Sequence, residues 1–596
     1  MEPTKEQQVF LEAKGKIVLC ACPGSGKTTI VAKKFLTYKK GWDKAHSGIA
    51  VLSFTNVACD EIKNKIAEEE GDICFYEYPH FIGTVDSFID NYIFLRFGYL
   101  LSKINARPKI QLKAASANAY RFWRKDCFQK DCISKIEQFR VLENRETYYK
   151  EEKVACEEKH GVIPCRSYIE RMHRQSCYFQ NEVPYQSLLL LKKHPDVVQA
   201  IIERFPVIII DEAQDTSKDQ MAIFDLLVNA GLQEAILVGD PDQSIYEWRT
   251  AKRECFIKKI NDPNWLTLYL TNNFRSSQLI CNATKAFSET YHNKPANKSI
   301  GEHANFPVKP ILLFYDLKSQ QEEIISYFKA ACETNNIELN RSAVVSRGRI
   351  SSKNHVENLW KNFQTKQIAE AAYNFLFGSR RLAFELLEKA IFSLTVKDLE
   401  DIDISLEREV EKYVSYSDWK YSILQLLTSL PLAAQELAVW VAEAQSCLCD
   451  FSKKNQILKN LPKALNYKII QIKQRDKTLP NFNHEKLSSY FGNKEMRNNF
   501  TLSTIHGVKG ESYDALMLVV ENTRGATLTP KFLAEGALND EKMRIAYVAM
   551  TRPKKLLVVA MPKVSNFNEK RFSRNDWTYI DLREETSSPK CKLCAN

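Results

Sequence analysis

The 596-residue sequence has no apolar run approaching the ~18 residues that a membrane-spanning helix needs. Its first residues, MEPTKEQQVF, lack the basic-then-apolar layout of a secretory signal. Together these absences predict a cytoplasmic protein with no membrane partner. Sixteen cysteines are present, but the paired C-x-x-C sets of a zinc module are missing. Cys591 and Cys594 have the spacing without a second pair close by. Cys127, Cys132, Cys156, Cys165 and Cys177, with His160 and His173 nearby, are read as ordinary thiols and histidines. No internal repeat or low-complexity segment appears, which argues against a solenoid or a disordered chain. Charge of one sign is only modestly in excess: the net charge of +11 permits a polyanionic partner without requiring one. With 44% hydrophobic and 26% charged residues, the chain is that of an ordinary globular protein large enough for several domains.

The segment KIVLCACPGSGKTTIVAKKFL has the order strand, tight loop, helix. Ala21 to Thr28 fits a phosphate-binding loop in which a small residue opens the pattern and Gly-Lys-Thr closes it. Ala21 is a tolerated variant of the usual glycine, and Cys22 and Pro23 fill loop positions. Gly24 and Gly26 free the backbone to turn its N–H groups toward phosphate oxygens, with Ser25 between them. The helix N-terminus at Lys27, Thr28 and Thr29 adds its positive end. Lys27 supplies a point charge, and the Thr28 hydroxyl suits Mg2+. Further on, FPVIIIDEAQDTSKDQ places Asp211 and Glu212 at the carboxyl end of a buried strand, where an open α/β sheet presents its ligand site. Asp211 suits Mg2+, and Glu212 suits orienting or deprotonating an attacking water.

With these two motifs in order, the chain resembles a superfamily 1 helicase of the UvrD/Rep/PcrA type. The family's other motifs follow: PTKEQ at 3–7, VLSFTNVACDEI at 51–62, GTVDSF at 83–88, AILVGDPDQSIYEWRTA at 235–251 and LTNNFRSS at 270–277. AVVSRGR at 343–349, LSTIHGVKGESYDAL at 502–516 and EKMRIAYVAMTRPKKLLVV at 541–559 complete the set. The resemblance implies ATP and Mg2+ as cofactors, Gln7 and Phe274 on the adenine, Gln243 as a γ-phosphate sensor, and Arg275 and Arg552 as arginine fingers. It implies DNA contacts at Phe54, Thr55, Asn56, Tyr246, Trp248 and His506, by stacking and phosphate binding. Tyr246 and Trp248, read as one face of a strand, would suit core packing equally well; the surrounding motif favours DNA. In two places the sequence departs from the family. The glutamate common as the second residue after the motif V glycine is replaced by Ser512, with Glu511 beside it, so the ribose contact loses its charge or passes to Glu511. Asp86 stands where relatives often have histidine.

The implied fold is α/β: two RecA-like P-loop domains, each with a mainly helical insertion, in 1A-1B-2A-2B architecture. The expected boundaries are 1–95 and 186–272 for 1A, 96–185 for 1B, 273–350 and 490–575 for 2A, 351–489 for 2B, and a polar tail over 576–596. Within 351–489 there is a single glycine, Gly378, and only Pro431, Pro462 and Pro480, as packed helices require. NAYRFWRKDCFQKDCISKIEQFR, in the first insertion, is read as an amphipathic helix with a solvated face. The implied activity is 3′→5′ translocation on single-stranded DNA and unwinding of tailed duplex DNA, in repair or anti-phage defence. The alternative is a DNA-sensing ATPase that gates a partner. The chain ends soon after Arg552, so any nuclease is expected as a separate subunit. Its compact length and short first insertion resemble the helicase subunit of Gabija-type defence systems, which pairs with an OLD-family nuclease.

Overall fold

The computed structural model describes residues 3–70, 78–101, 106–111, 136–142, 146–149, 164–246, 251–290, 295–316, 321–347, 362–377, 379–396, 406–455, 500–522, 526–564 and 567–582, with a few short pieces between. The first sheet contains β1 (Lys16–Ala21), β2 (Ile49–Ser53), β3 (Phe81–Thr84), β4 (Val207–Ile210), β5 (Glu234–Gly239) and β6 (Leu266–Leu270), in the order β6-β1-β5-β4-β2-β3. Every pairing in it is parallel. Parallel strands are covered on both faces, so they read as continuous apolar runs. In β1, Val18 and Cys20 enter one core, while Ile17, Leu19 and Ala21 enter the other.

The second sheet is also six-stranded and parallel: β7 (Ile311–Tyr315), β8 (Ser342–Ser346), β9 (Thr501–Thr504), β10 (Tyr513–Val519), β11 (Pro553–Pro562) and β12 (Thr578–Asp581), ordered β9-β8-β10-β11-β7-β12. Two cores again flank it, with Leu516 and Leu518 on one side and Ala515 and Met517 on the other. β12 corrects the expected tail. Residues 578–581 pair with β7, and Trp577 is buried against Phe287 and Phe572, so apolar packing holds this stretch in the sheet.

The second insertion is helical in its described parts, with helices over Phe363–Phe377, Arg380–Thr395, Leu406–Val410, Tyr416–Ser429 and Leu437–Lys454. Trp419 and Trp440 sit fully buried in its core. Each indole N–H finds an acceptor, Glu388 Oε1 at 3.1 Å and Pro431 O at 3.0 Å, as buried tryptophans require. The first insertion adds strands to the expected helices. Phe139–Val141, Thr147–Tyr149 and Glu152–Lys153 form a small antiparallel sheet, and Lys109–Gln111 pairs with Cys177–Phe179. Arg140 ties this insertion to the first domain through Asp219 at 2.5 Å. Among the described residues, no helix is long and apolar enough to cross a membrane.

Candidate nucleotide site and nucleic-acid interface

The loop after β1 leads into α2 (Lys27–Lys39), with Gly24 and Gly26 at φ +74° and +77°. Left-handed backbone of this kind favours glycine. Gly24 is required sterically as well, since a Cβ there would lie 2.6 Å from Asn273 Oδ1 and 2.7 Å from Arg275 Cβ. The crowding arises because Phe274 N–H donates to Gly24 O at 2.8 Å, which laces the loop to the 272–276 segment. Asn273 Oδ1 in turn accepts the N–H groups of Arg275 and Ser276. Ala21, Cys22 and Pro23 are buried behind the loop, where Cys22 N–H donates to Leu270 O at 3.0 Å. They hold the loop in place from behind, while Gly24 to Thr29 line the open cleft. Gln7, on α1 (Lys5–Glu12), closes a capping box with Thr4 and donates to Ser25 O at 3.4 Å.

The acidic pair follows β4. Asp211 is 1% exposed, and its Oδ1 accepts Glu212 N–H at 3.0 Å. Burial, reinforced by Glu212, raises its pKa, with Lys27 opposing. A buried carboxylate held this way, lining the same cleft as Thr28, offers oxygen donors that fit a hard divalent cation. Glu212 has φ +53°, a strained conformation for a non-glycine residue costing about 1–3 kcal/mol. Burial alone would raise its pKa. Lys27, Lys509, a hydrogen bond from Gln214 and Arg552 outweigh burial, so Glu212 is held ionised. Gln214 Nε2 reaches Glu212 Oε2 at 2.5 Å, while its own Oε1 accepts Asp240 N–H. Glu61, on α3 (Asn56–Glu70), hydrogen-bonds Thr28 from the far side, and burial raises its pKa.

The second domain contributes the other wall of the cleft, which has a volume of about 350 Å3. Arg552 Nη2 donates to Gln243 Oε1 at 2.7 Å, and Gln243 Nε2 donates to Asp240 Oδ2 at 2.7 Å. Arg275 Nη1 donates to Thr551 O at 3.2 Å; burial and repulsion from Arg552 lower its pKa to about 9, so it stays charged at neutral pH. Lys509 reaches across to Asp215 at 2.5 Å and to Gln243 O at 3.1 Å. Arg544 adds a donor to Ser244 O at 2.7 Å. Glu511 lines the same cleft with an exposed side chain, and Ser512 beside it is exposed too.

Aromatic rings from both domains line the same cleft. Phe54 stacks on Tyr246 with centroids 4.9 Å apart, and the His506 ring lies 6.2 Å beyond Tyr246. Lys509 Nζ sits 4.5 Å from the Tyr246 ring centre. Tyr246 lies in the loop after the turn Pro241–Gln243, not in a strand; its ring is partly buried, packed against the core of the second domain and stacked on Phe54. Trp248 lies outside the described residues. Thr55 Oγ1 accepts Ala58 N–H at 3.2 Å and so caps α3, leaving its hydroxyl proton to donate elsewhere. Asn56 is exposed in the first turn of α3. Asp86, at the departure noted in the sequence, accepts from Gln220 Nε2 at 2.7 Å. Cys165 and Cys177 form no disulfide; Cys127, Cys132, Cys156, His160, Cys591 and Cys594 lie outside the described residues.

Several of these partners were not singled out by sequence reasoning: Gln214, Asp215, Glu61, Asn273 and Lys509. All five lie in the motif stretches VLSFTNVACDEI, DEAQD, LTNNFRSS and HGVKG, and that position was the available signal. Arg347 is another. Its Nη1 and His506 Nε2 are buried polar atoms without hydrogen-bond partners, and the two residues are electrostatically coupled beside the aromatic rings.

Two parallel sheets, a phosphate loop, a strand-end Asp-Glu pair and arginines supplied across a cleft define a P-loop NTPase of the two-RecA-domain class. Residues 1–264 match the UvrD/REP helicase N-terminal domain, and residues 392–563 match the UvrD-like helicase C-terminal domain. The chain belongs to the UvrD-like helicases, a family of ATP-dependent DNA helicases. It is 24% identical to the Gabija protein GajB of Bacillus cereus over 93% of this chain and 94% of that one. It is 21% identical to the putative ATP-dependent DNA helicase YjcD of Bacillus subtilis, over 98% of this chain and 81% of that one. It is 24% identical to the ATP-dependent DNA helicase PcrA of Staphylococcus epidermidis over 47% of this chain and 39% of that one.

Proposed function

We propose that this chain is an ATP- and Mg2+-dependent translocase on single-stranded DNA that unwinds tailed duplexes with 3′→5′ polarity. The observation that carries the reading is the set of aromatic rings lining the cleft at the domain junction, with Lys509 shared between them and the nucleotide groups. A change in how the domains close on ATP would therefore move the DNA-stacking groups directly. In this reading Lys27 and the loop N–H groups hold the β- and γ-phosphates, Gln7 and Phe274 meet the adenine, and Glu212 accepts a proton from the attacking water. Mg2+, held by Thr28 and Asp211, would neutralise charge on the phosphate oxygens. Arg275 and Arg552 stabilise charge developing on the transferred phosphoryl group, and Gln243, hydrogen-bonded to Arg552, relays the phosphate state to Tyr246. Glu511 is the candidate ribose contact.

DNA contacts in this reading are Phe54, Thr55, Asn56, Tyr246, Trp248 and His506, directed at base faces and phosphates, so binding is independent of sequence. Phe54 and Tyr246 touch each other, so a base stacks on an outer face or enters by parting them. Similarity to GajB along nearly the whole of both chains favours anti-phage defence, with a separate nuclease subunit of the OLD-family type, over repair. The same similarity supports a second reading, in which hydrolysis gates that nuclease with little intrinsic unwinding.

DNA titrations of ATP hydrolysis test the shared core of both readings. Tyr246→Ala should need about tenfold more single-stranded DNA for half-maximal stimulation, as expected from the loss of one stacked base. Hydrolysis indifferent to DNA in the unmutated protein would exclude both.

A further inference from the structure

Lys34 is a buried lysine that the chemistry above leaves unused. It lies on α2, two turns beyond the phosphate loop, and is 1% exposed. Its ammonium donates to Phe10 O at 3.0 Å, Leu11 O at 2.9 Å and Ala13 O at 2.5 Å. These are carbonyls at the C-terminal end of α1, which a helix cannot satisfy internally and where a cation is favoured. All three ammonium protons are therefore used on one helix end. The rings of Phe10 and Tyr38 flank the charge, with centroids 5.3 and 4.9 Å from Nζ. Tyr38 is fixed by its hydroxyl to Glu234 at 2.7 Å, and Glu234 also accepts Gly15 N–H at 2.5 Å.

The opposite end of α1 is fastened as well. Glu6 accepts Thr271 N–H at 2.8 Å and the Asn272 amide at 3.3 Å, just before Phe274 and Arg275. Gln7, between these anchors, touches the phosphate loop through Ser25 O. Helix α1 is thus suspended between the two elements that hold the nucleotide, with Lys34 at one end and Glu6 at the other. Burial lowers the Lys34 pKa to about 8; Glu234 opposes this and Lys14 adds to it. An apolar side chain at this position would leave these carbonyls without the ammonium's protons, so Lys34 acts as the cap of α1.

We propose that Lys34 is a positioning residue for nucleotide-base recognition, setting the depth and angle at which α1 presents Gln7 to the adenine. The inference rests on the reading of Gln7 as the base contact. Steady-state hydrolysis of ATP and GTP by the full chain, with saturating single-stranded DNA, tests it in Lys34→Met, Lys34→Arg, Gln7→Ala and the Gln7→Ala/Lys34→Met double variant. Lys34→Met should raise KM for ATP about tenfold, the scale of one lost charged hydrogen bond, while kcat changes little. The ATP-over-GTP preference should fall toward that of Gln7→Ala, Lys34→Arg should restore it, and the double variant should be no worse than Gln7→Ala. Unchanged KM and base preference in Lys34→Met, with Gln7→Ala impaired, would overturn the role of Lys34 alone. Additive losses in the double variant would also overturn it, by making Lys34 a general stabiliser. Unimpaired base preference in Gln7→Ala would instead remove the reading of Gln7. If Lys34→Met fails to fold by circular dichroism, the comparison of Lys34→Arg with Lys34→Gln decides on the same readouts.

Discussion

Glu212 shows at the scale of one residue how this site is prepared. Its backbone is left-handed, its carboxylate is kept ionised against burial, and one oxygen is fixed by the Gln214 amide. In the proposed role of Glu212 as the water-activating base, each feature removes a freedom that such a base cannot have in the transition state. Gln214 is itself oriented, because its Oε1 is occupied by Asp240 N–H. Gln214→Ala should therefore lower kcat by roughly tenfold to a hundredfold with little change in KM for ATP, the split expected when a general base loses alignment and substrate binding does not. An unchanged kcat would mean that the backbone alone positions Glu212. Gly24, Gly26, Lys27 and Thr28 were legible in the sequence because they stand in one loop, and all four line the cleft. Gln214 was printed in the same DEAQD stretch as Glu212, but its role depends on β5 lying next to β4, and spacing along the chain does not contain that.

Between elements, the contact that matters most is Lys509 with Asp215, which joins the turn after β9 to the turn after β4 across 294 residues of chain. Burial lifts the Asp215 pKa to about 6, with Lys509 pulling the other way. Acidification through that value protonates Asp215 and releases Lys509 from its partner; above it the pair is intact. DNA-stimulated ATP hydrolysis should accordingly fall as pH drops through about 6, and Asp215→Asn should be low across the same range without that inflection. An inflection retained in Asp215→Asn would assign the titration to another group. Such pairs escape sequence reading because a lysine and an aspartate far apart in sequence look like any two solvated charges. The strands of the first insertion escape it for another reason: segments of two or three residues are too short for a periodicity to appear. Buried parallel strands such as VIII at 207–210 are the opposite case, since apolar residues on both faces announce them.

For the whole molecule, the order of motifs along the chain corresponds to two sheets that exchange between β6 and β7, with ATP-site groups supplied from both. This division was legible because motif positions and gaps carry it. The last strand was not, because β12 is an edge strand fixed by the burial of Trp577 and by pairing with β7, in a stretch that is mostly polar. In the proposed function, coupling between the nucleotide groups and the aromatic rings sets a direction of movement, and a strand-displacement assay reads that direction. The most direct test is ATP-dependent strand displacement by the full chain on duplexes bearing a 3′ tail, a 5′ tail or no tail. A 3′→5′ helicase should unwind the 3′-tailed duplex, far less of the other two, and none without hydrolysable ATP. Unwinding of the 5′-tailed duplex alone would contradict the polarity, and DNA-stimulated hydrolysis with no unwinding of any substrate would contradict the helicase activity of this chain in favour of a DNA-gated switch.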